Sequence, residues 1–456
     1  MKIFRLLTPL LLAIVAVLCF APAAWAFCGF YVAKADAKLY NKASQVVIAR
    51  DGNRTVLTMA NDFQGEVKDF AIVVPVPTVL KKEQVRVAQP QIIERLDAFS
   101  APRLVEYFDP DPCAPIFFGN LLTQSGVGGD GGKAGSISID RSLGVTVEAS
   151  FNVGEYDIVI LSAKESGGLE TWLRSNGYKI PQGAKQLLQP YIRSSMKFFV
   201  AKVNLDKFEQ SGYQLLRPLQ ISYQSPKFML PIRLGMLNAT TEQDLIVYIL
   251  SPEGGAEITN YRTVKIPTDA NIPVYVKNEF NEFYKSLFQT AYTKEGKRVG
   301  FLEYAWDMGS CDPCSADPLT PDELKEAGVF WLINNNSSSN VPVFPNFGIP
   351  FVSSNVFISR LHVRYTRDTF PEDLIFLQTA NREFFQGRYI LQYPFQGELK
   401  CQAGKEYKRS LPKRFEQEAQ TLAKLTNWDI QDIRKKMKLS VGNLTYSLWE
   451  SFLSWF

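Results

Sequence analysis

The chain has 456 residues and a single histidine, His362. Histidine is the usual general base near neutral pH and the commonest metal ligand. Sites built from two or three imidazoles therefore cannot form within one copy, and Ser–His–Asp or Cys–His catalysis would have to recruit this one residue. Net charge is also scarce. Fifty basic residues face 46 acidic ones, too even a balance for a nucleic-acid partner, which needs a basic stripe or patch. Beyond the first 26 positions no stretch is long and apolar enough to span a bilayer. A phosphate loop is missing as well. The glycine-rich tract at 119–135 contains Gly126-Val127-Gly128-Gly129-Asp130-Gly131-Gly132-Lys133. Val127 stands where the first glycine of such a loop belongs, and Ala134 stands where Ser or Thr would bind magnesium. It reads as a mobile surface loop.

What is present begins with an export signal. Lys2 and Arg5 supply a positive start, residues 6–20 an apolar run, and Ala24-Trp25-Ala26 a small-residue cleavage site. Residues 1–26 read as a secretory signal peptide, cut between Ala26 and Phe27, with a retained membrane anchor as the alternative. About 430 residues then remain to fold, enough for two or three domains or one large one. Two of the fifty basic residues leave with the signal, so 48 face 46 acids and the net charge falls to +2. Leu18 and Phe27 are too large to precede a lipidated cysteine. The expected location is periplasmic or secreted.

Export makes the surroundings oxidising, so cysteines default to disulfides. Cys19 departs with the signal, leaving Cys28, Cys113, Cys311, Cys314 and Cys401. Five is odd, and two bridges plus one free thiol is the simplest outcome. The pairing favoured here is Cys28–Cys113, with a second bridge among Cys311, Cys314 and Cys401; connectivity is not fixed by spacing. Cys311-Asp312-Pro313-Cys314 has the spacing of a redox pair after a strand. Pro318 arrives before a thiolate-stabilising helix could complete, and the next helix has its own start at Thr320-Pro321-Asp322-Glu323. The motif is expected in a loop, as a structural disulfide. Zinc would need two further ligands.

Periodicity gives an α+β fold: largely antiparallel sheets with interspersed helices and a helical C-terminal segment. Residues 45–50 and 54–59 form a hairpin about Asp51-Gly52-Asn53. Residues 70–76 are a strand whose end Pro75 and Pro77 push toward an edge. A helical stretch at 91–108 breaks near Pro102. Strands follow at 144–151, 156–161, 197–203, 215–223, 228–238, 245–250 and 257–266, the last two joined as a hairpin, with helices at 168–175, 182–193 and 276–292. Pro412 opens a C-terminal helix, and Asn427 caps the next. The division expected is 27–270, 271–402 and 403–456. In the strand at 356–367, Arg360, His362 and Arg364 share one face and Leu361, Val363 and Tyr365 the other. That places His362 on a charged, solvated face. The tail carries Trp449, Phe452, Trp455 and Phe456, which dock on the protein itself or, alternatively, meet a membrane surface or a protein partner.

Several strings carry a family resemblance. They are Phe27-Cys28-Gly29-Phe30, Ser44-Gln45-Val46-Val47, 55–62 (TVLTMAND), 73–77 (VVPVP), Gly154-Glu155-Tyr156-Asp157, 226–235 (PKFMLPIRLG), the CDPC motif and Leu361-His362-Val363-Arg364-Tyr365. With these the chain resembles the bacterial family called domain of unknown function 2330. The resemblance implies export and one family unit, and brings no activity, cofactor or catalytic residue. The leading expectation is a non-enzymatic binding or structural protein of the cell envelope, with no cofactor and no metal. A thiol–disulfide oxidoreductase using Cys311 and Cys314 is the second reading. A hydrolase working through carboxylates such as Glu155 and Asp157, taken to share a strand face, is the third.

Overall fold

The computed structural model describes residues 30–33, 40–41, 44–60, 63–64, 70–114, 145–176, 183–211, 216–237, 242–332 and 355–440. The signal segment with Ala26 and Phe27, Cys28, the glycine-rich loop, the Asn/Ser tract at 334–340 and the aromatic tail lie outside them. The first half of the chain supplies strands β1 (Ser44–Asp51), β2 (Arg54–Ala60), β3 (Phe70–Val76) and β4 (Val85–Val87), helix α1 (Gln91–Ser100) and strand β5 (Arg103–Phe108). Then come β6 (Val145–Val153), β7 (Tyr156–Ala163), α2 (Ser166–Ser175), α3 (Ala184–Arg193), β8 (Lys197–Val203), β9 (Leu219–Gln224) and β10 (Gln243–Ser251). The second half supplies β11 (Arg262–Lys265), α4 (Phe280–Lys294), β12 (Val299–Asp307), α5 (Pro321–Glu326), β13 (Phe357–Tyr365), β14 (Leu374–Gln378), β15 (Arg388–Tyr393), α6 (Gln402–Thr426) and α7 (Ile430–Ser440). The class is α+β, with mostly antiparallel sheets and a helical C-terminal segment.

Two sheets face each other. The larger runs β11-β12-β13-β10-β1-β2-β9-β4, parallel only at β11–β12 and β10–β1. The smaller runs Phe30–Ala33, β3, β8, β7, β6 and is antiparallel throughout. Successive side chains on a strand point to opposite faces, and β1 shows what that does here. Val46 and Ile48 enter the core between the sheets, together with Ile72, Val74, Ile158 and Phe199. Val47 and Ala49 point the other way, onto Ile93, Leu96 and Phe99 of α1. Farther along that outer face, Phe283, Leu287 and Phe288 of α4 pack with Phe415, Leu422 and Ile433 of α6 and α7. The outer face of the smaller sheet is covered by α2 and α3 through Leu169, Leu173, Leu188 and Tyr191. The layers are therefore helix, sheet, sheet, helix, and strands on both sides of residue 270 share the larger sheet.

Several local expectations are corrected. β3 is interior, between Phe30–Ala33 and β8. Among the described residues it pairs with Phe30–Ala33 along 70–73 and with β8 along 71–76, Pro75 standing opposite Phe198. The helix at 91 ends at Ser100, and 103–108 becomes strand β5 because it pairs with β15. Residues 228–238 yield only Met229–Leu230 before a 3-10 turn. The segments at 245 and 257 are not a hairpin: β10 pairs with β13 and β1, whereas Ala256–Ile258 pairs with β14. Pro412 lies inside α6, whose N-cap is Cys401, and Asn427 closes that helix in a left-handed conformation. Where the residues carry a complete local signal the expectation holds. Thr320 and Glu323 form the capping box of α5, and Gly52 turns the β1–β2 hairpin with φ +53°.

Cys113 pairs otherwise than expected, while Cys311 and Cys314 supply the second bridge. Cys113 is bonded to Cys401, fastening the segment after β5 to the start of α6 across 288 positions, and Cys311 is bonded to Cys314. The parallel pairing of β5 with β15 is what carries Cys113 toward the C-terminal helices. In the chain-entropy view a cross-link stabilises by restricting the unfolded chain, more for longer loops. Replacing both Cys113 and Cys401 by Ser should cost about 5 kcal/mol, against about 2 kcal/mol for the four-residue loop of Cys311 and Cys314. Urea unfolding of the two double variants measures that difference.

Candidate functional site

Three places concentrate polar chemistry, and the first is the surroundings of His362. Its strand face is covered by α4 and α1, so the imidazole is 11% exposed and not solvated. Six charges of alternating sign run across this face. Asp97 of α1 meets Arg360 at 2.6 Å, and Arg360 meets Glu303 at 2.7 Å. Glu303 lies 2.7 Å from Nδ1 of His362, whose Nε2 lies 3.0 Å from Asp244. Asp244 takes two hydrogen bonds from Arg364 at 2.8 Å. Phe288 of α4 stacks on the imidazole with centroids 3.9 Å apart, and Tyr284 donates its hydroxyl to Glu303. Alternation along the strand puts the arginines and the histidine on one face but does not show their partners, because Glu303 and Asp244 reach them only through strand pairing.

The electrostatics follow from that geometry. Burial by itself raises the Glu303 carboxyl, but the charges of His362 and Arg360 reverse this and hold it down at about 2. Burial lowers the His362 imidazole, and Glu303 and Asp244 together raise it above its ordinary value. With both ring nitrogens facing carboxylate oxygens, only the doubly protonated ring can donate to both. Every acid and base in this row is therefore held by its neighbour, which suits it to fasten helices to sheet.

The second place is the Cys311–Cys314 loop, between β12 and α5 as expected. Arg103 donates to the Pro313 carbonyl at 3.2 Å, Gln386 to the Asp312 carbonyl, and Ser315 to that of Ala98 at 2.7 Å. Cys311 is half-buried and Cys314 exposed. Neither starts a helix, so the dipole that usually activates such a thiolate is missing here. Glu155 and Asp157 do not form a pair. Glu155 lies in the β6–β7 turn, buried against Arg217 at 2.7 Å, whereas Asp157 binds Lys207 at 2.9 Å.

The third place is an open cleft of about 540 Å³, within the range of small-molecule sites. It lies at one end of the space between the sheets. Phe228 and Phe376 belong to the inter-sheet core, and Pro190 and Tyr191 of α3 form the opposite wall. Strand β14 alternates Leu374 and Phe376 inward with Ile375 and Leu377 outward. Both outward residues line the cleft, Leu377 at 56% exposure. Two buried charged groups join this apolar lining. Asp373 accepts from the Tyr191 hydroxyl at 2.6 Å and from the backbone N–H groups of Ile232 and Arg233, with the Arg233 side chain 3.4 Å away. Arg50, at the end of β1, is 4% exposed. Of these residues only Phe228, Ile232 and Arg233 fall in a string quoted above, 226–235, and no local pattern marks Arg50, Asp373 or Leu377 as a site. An arginine closing the apolar run Val46-Val47-Ile48-Ala49 was the available signal.

Fold and site together define a helix–sheet–sheet–helix α+β protein with a mixed apolar and charged cleft at the sandwich end. The chain belongs to the bacterial family described as "Uncharacterized protein conserved in bacteria (DUF2330)", which matches residues 22–377. Neither a curated protein nor a solved structure matches it. The 226–235 string lies inside the matched region and supplies Pro226, Lys227, Phe228, Met229 and Arg233 to the cleft. Among the described residues no group of three or more His, Cys, Asp or Glu side chains is arranged to hold a metal ion, and no helix is long and apolar enough to cross a membrane.

The charge row makes stability depend on pH from both sides. Glu303, depressed from the usual 4.5, stabilises fully above about 4.5, and that contribution is lost as pH falls toward about 2. His362, raised, stabilises fully below its unfolded value of 6.5, and that contribution is lost as pH climbs through the folded value. Urea unfolding between pH 3 and 9 should therefore peak between these limbs, and His362→Gln should flatten the alkaline one. Because the chain has one histidine, its imidazole proton resonances need no assignment, and they should titrate above pH 6.5. Glu303→Gln leaves Arg360 and His362 buried without their shared carboxylate and should cost about 3–5 kcal/mol.

Proposed function

We propose that this protein acts outside the cytoplasm, in the bacterial cell envelope, and binds a small, largely apolar molecule in the β14 cleft without chemically altering it. The observation that carries the reading is the exposure of Ile375 and Leu377 side by side on one strand, inside a concavity backed by Phe228 and Phe376. An exposed apolar patch in a concave site marks a binding surface more often than a structural one. The charged groups of the His362 row are committed to one another, and the Cys311–Cys314 sulfurs sit in a pinned loop. The cleft is left as the place where an outside molecule gains most from contact. Export is supported by the positive, apolar and small-residue segments of 1–26.

Two measurements test this. A neutral environment-sensitive dye, N-phenyl-1-naphthylamine, should show a saturable fluorescence rise with the purified protein. Leu377→Asp, at an exposed position, should weaken that binding at least tenfold and leave folding intact. A dye titration that is linear, or unaffected by Leu377→Asp, would remove the cleft as the binding site. For export, N-terminal sequencing of protein recovered outside the cytoplasm should begin at Phe27. Recovery of the chain only from the cytoplasm with Met1 intact argues the other way.

A further inference from the structure

Accepting the cleft as a binding site, we infer that its ligand is an amphiphilic monoanion, a carboxylate on an apolar chain or ring, and that Arg50 receives the carboxylate. Arg50 is a cation taken out of water at the end of an apolar strand, which is costly unless it is compensated. Its nearest partners are neutral. Nη1 donates to Thr55 Oγ1 at 2.7 Å and Nη2 to the Ser225 carbonyl at 3.1 Å. The guanidinium lies over the Phe228 ring, 4.7 Å from its centroid. These bonds use two of its five N–H donors, and Nε is in neither.

Other buried and half-buried arginines are handled differently. Arg217 has Glu155, Arg360 has Glu303, Arg364 has Asp244 and Arg414 has Asp109. Arg103 meets three carbonyls, two of them from residues 99 and 101 at the C-terminal end of α1, where the helix dipole is negative. Among the described residues Arg50 has no carboxylate in contact, and burial pulls its affinity for the proton down with only Tyr223 opposing. The acids nearby do not fill the gap. Asp373 is held by Tyr191, two backbone N–H groups and Arg233, and Glu253 and Glu372 are exposed at the rim with Lys227. One uncompensated buried charge calls for one negative charge. A dianionic phosphate would leave an excess, and a planar carboxylate matches the guanidinium fork. The apolar body would then lie against Phe228 and along Ile375 and Leu377.

Isothermal titration with decanoate and decanol, both below their aggregation concentrations, tests this on the unmodified chain. Decanoate should bind at least tenfold more tightly than decanol, since a hydrogen bond to a charged group contributes about that much. Arg50→Gln should bring the two affinities together by weakening decanoate alone, and Leu377→Asp should weaken both. Equal binding of the two by the wild-type chain, or an unchanged ratio in Arg50→Gln, overturns the assignment to Arg50 and leaves the apolar cleft standing. Binding of neither overturns the cleft as a site, and the inference with it.

Discussion

Glu303 is a carboxylate with 1% of its surface exposed, and keeping it ionised there constrains much of the fold around it. An isolated buried carboxylate would simply take up a proton. This one is kept charged by Arg360 and His362 from the neighbouring strand and by the hydroxyl of Tyr284 from above. Those groups arrive only if β12 and β13 pair in one register, with α4 laid across them. Arg360 in turn requires Asp97, which α1 carries, and His362 requires Asp244, which β10 carries. A slip of one residue in β13 would send all three cations to the opposite face, into the packed core between the sheets. The row thus makes the register and the docking of two helices parts of one condition. Its cost as buried charge is large, so specificity of packing is a better account of it than stability.

The strand carrying Glu303 meets that condition through an irregularity. Pairing of β12 with β13 shifts between Leu302 and Tyr304, so Glu303 is an additional residue on its strand. A bulge of this kind lets neighbouring side chains break the usual alternation. Glu303 and Tyr304 both reach the helix-covered side, one to His362 and Arg360, the other to Phe99 of α1. Regular alternation would have turned one of them toward the inter-sheet core.

This explains which parts of the fold and site were legible in the residues. Signals complete within a few positions are legible: the Gly52 turn, the Thr320–Glu323 capping box, the loop placement of Cys311 and Cys314, and the alternation of β13. Whatever depends on what lies above or beside a strand is not. Nothing near His362 announces that α4 will cover it, and no spacing rule joins Cys113 to Cys401. The same limit hid the cleft. Arg50, Phe228 and the pair Asp373 and Leu377 come from three separate stretches of chain, brought together by the closing of a sandwich end. Pro412 misled for a related reason: its place inside α6 is tolerated because tertiary packing of Phe415, Ala419 and Leu422 holds the helix, whereas local preference alone would start one there.

Both kinds of buried cation lie on the larger sheet, and the contrast between them divides the molecule. In the His362 row each positive group meets a carboxylate, and the bonds run on from Asp97 to Arg364 without reaching the cleft lining. At the sandwich end β1 carries Arg50 into an equally apolar setting, where it finds a hydroxyl, a carbonyl and an aromatic ring. Had that end been needed only for packing, a leucine or methionine at position 50 would fill it at no electrostatic cost. Retaining a guanidinium there makes sense if the missing negative charge comes from outside the chain. The rigid face then has a use beyond its own stability. By fixing the register of β13 and β10, and through β10 that of β1, it holds the Arg50 end of β1 in place before any ligand arrives.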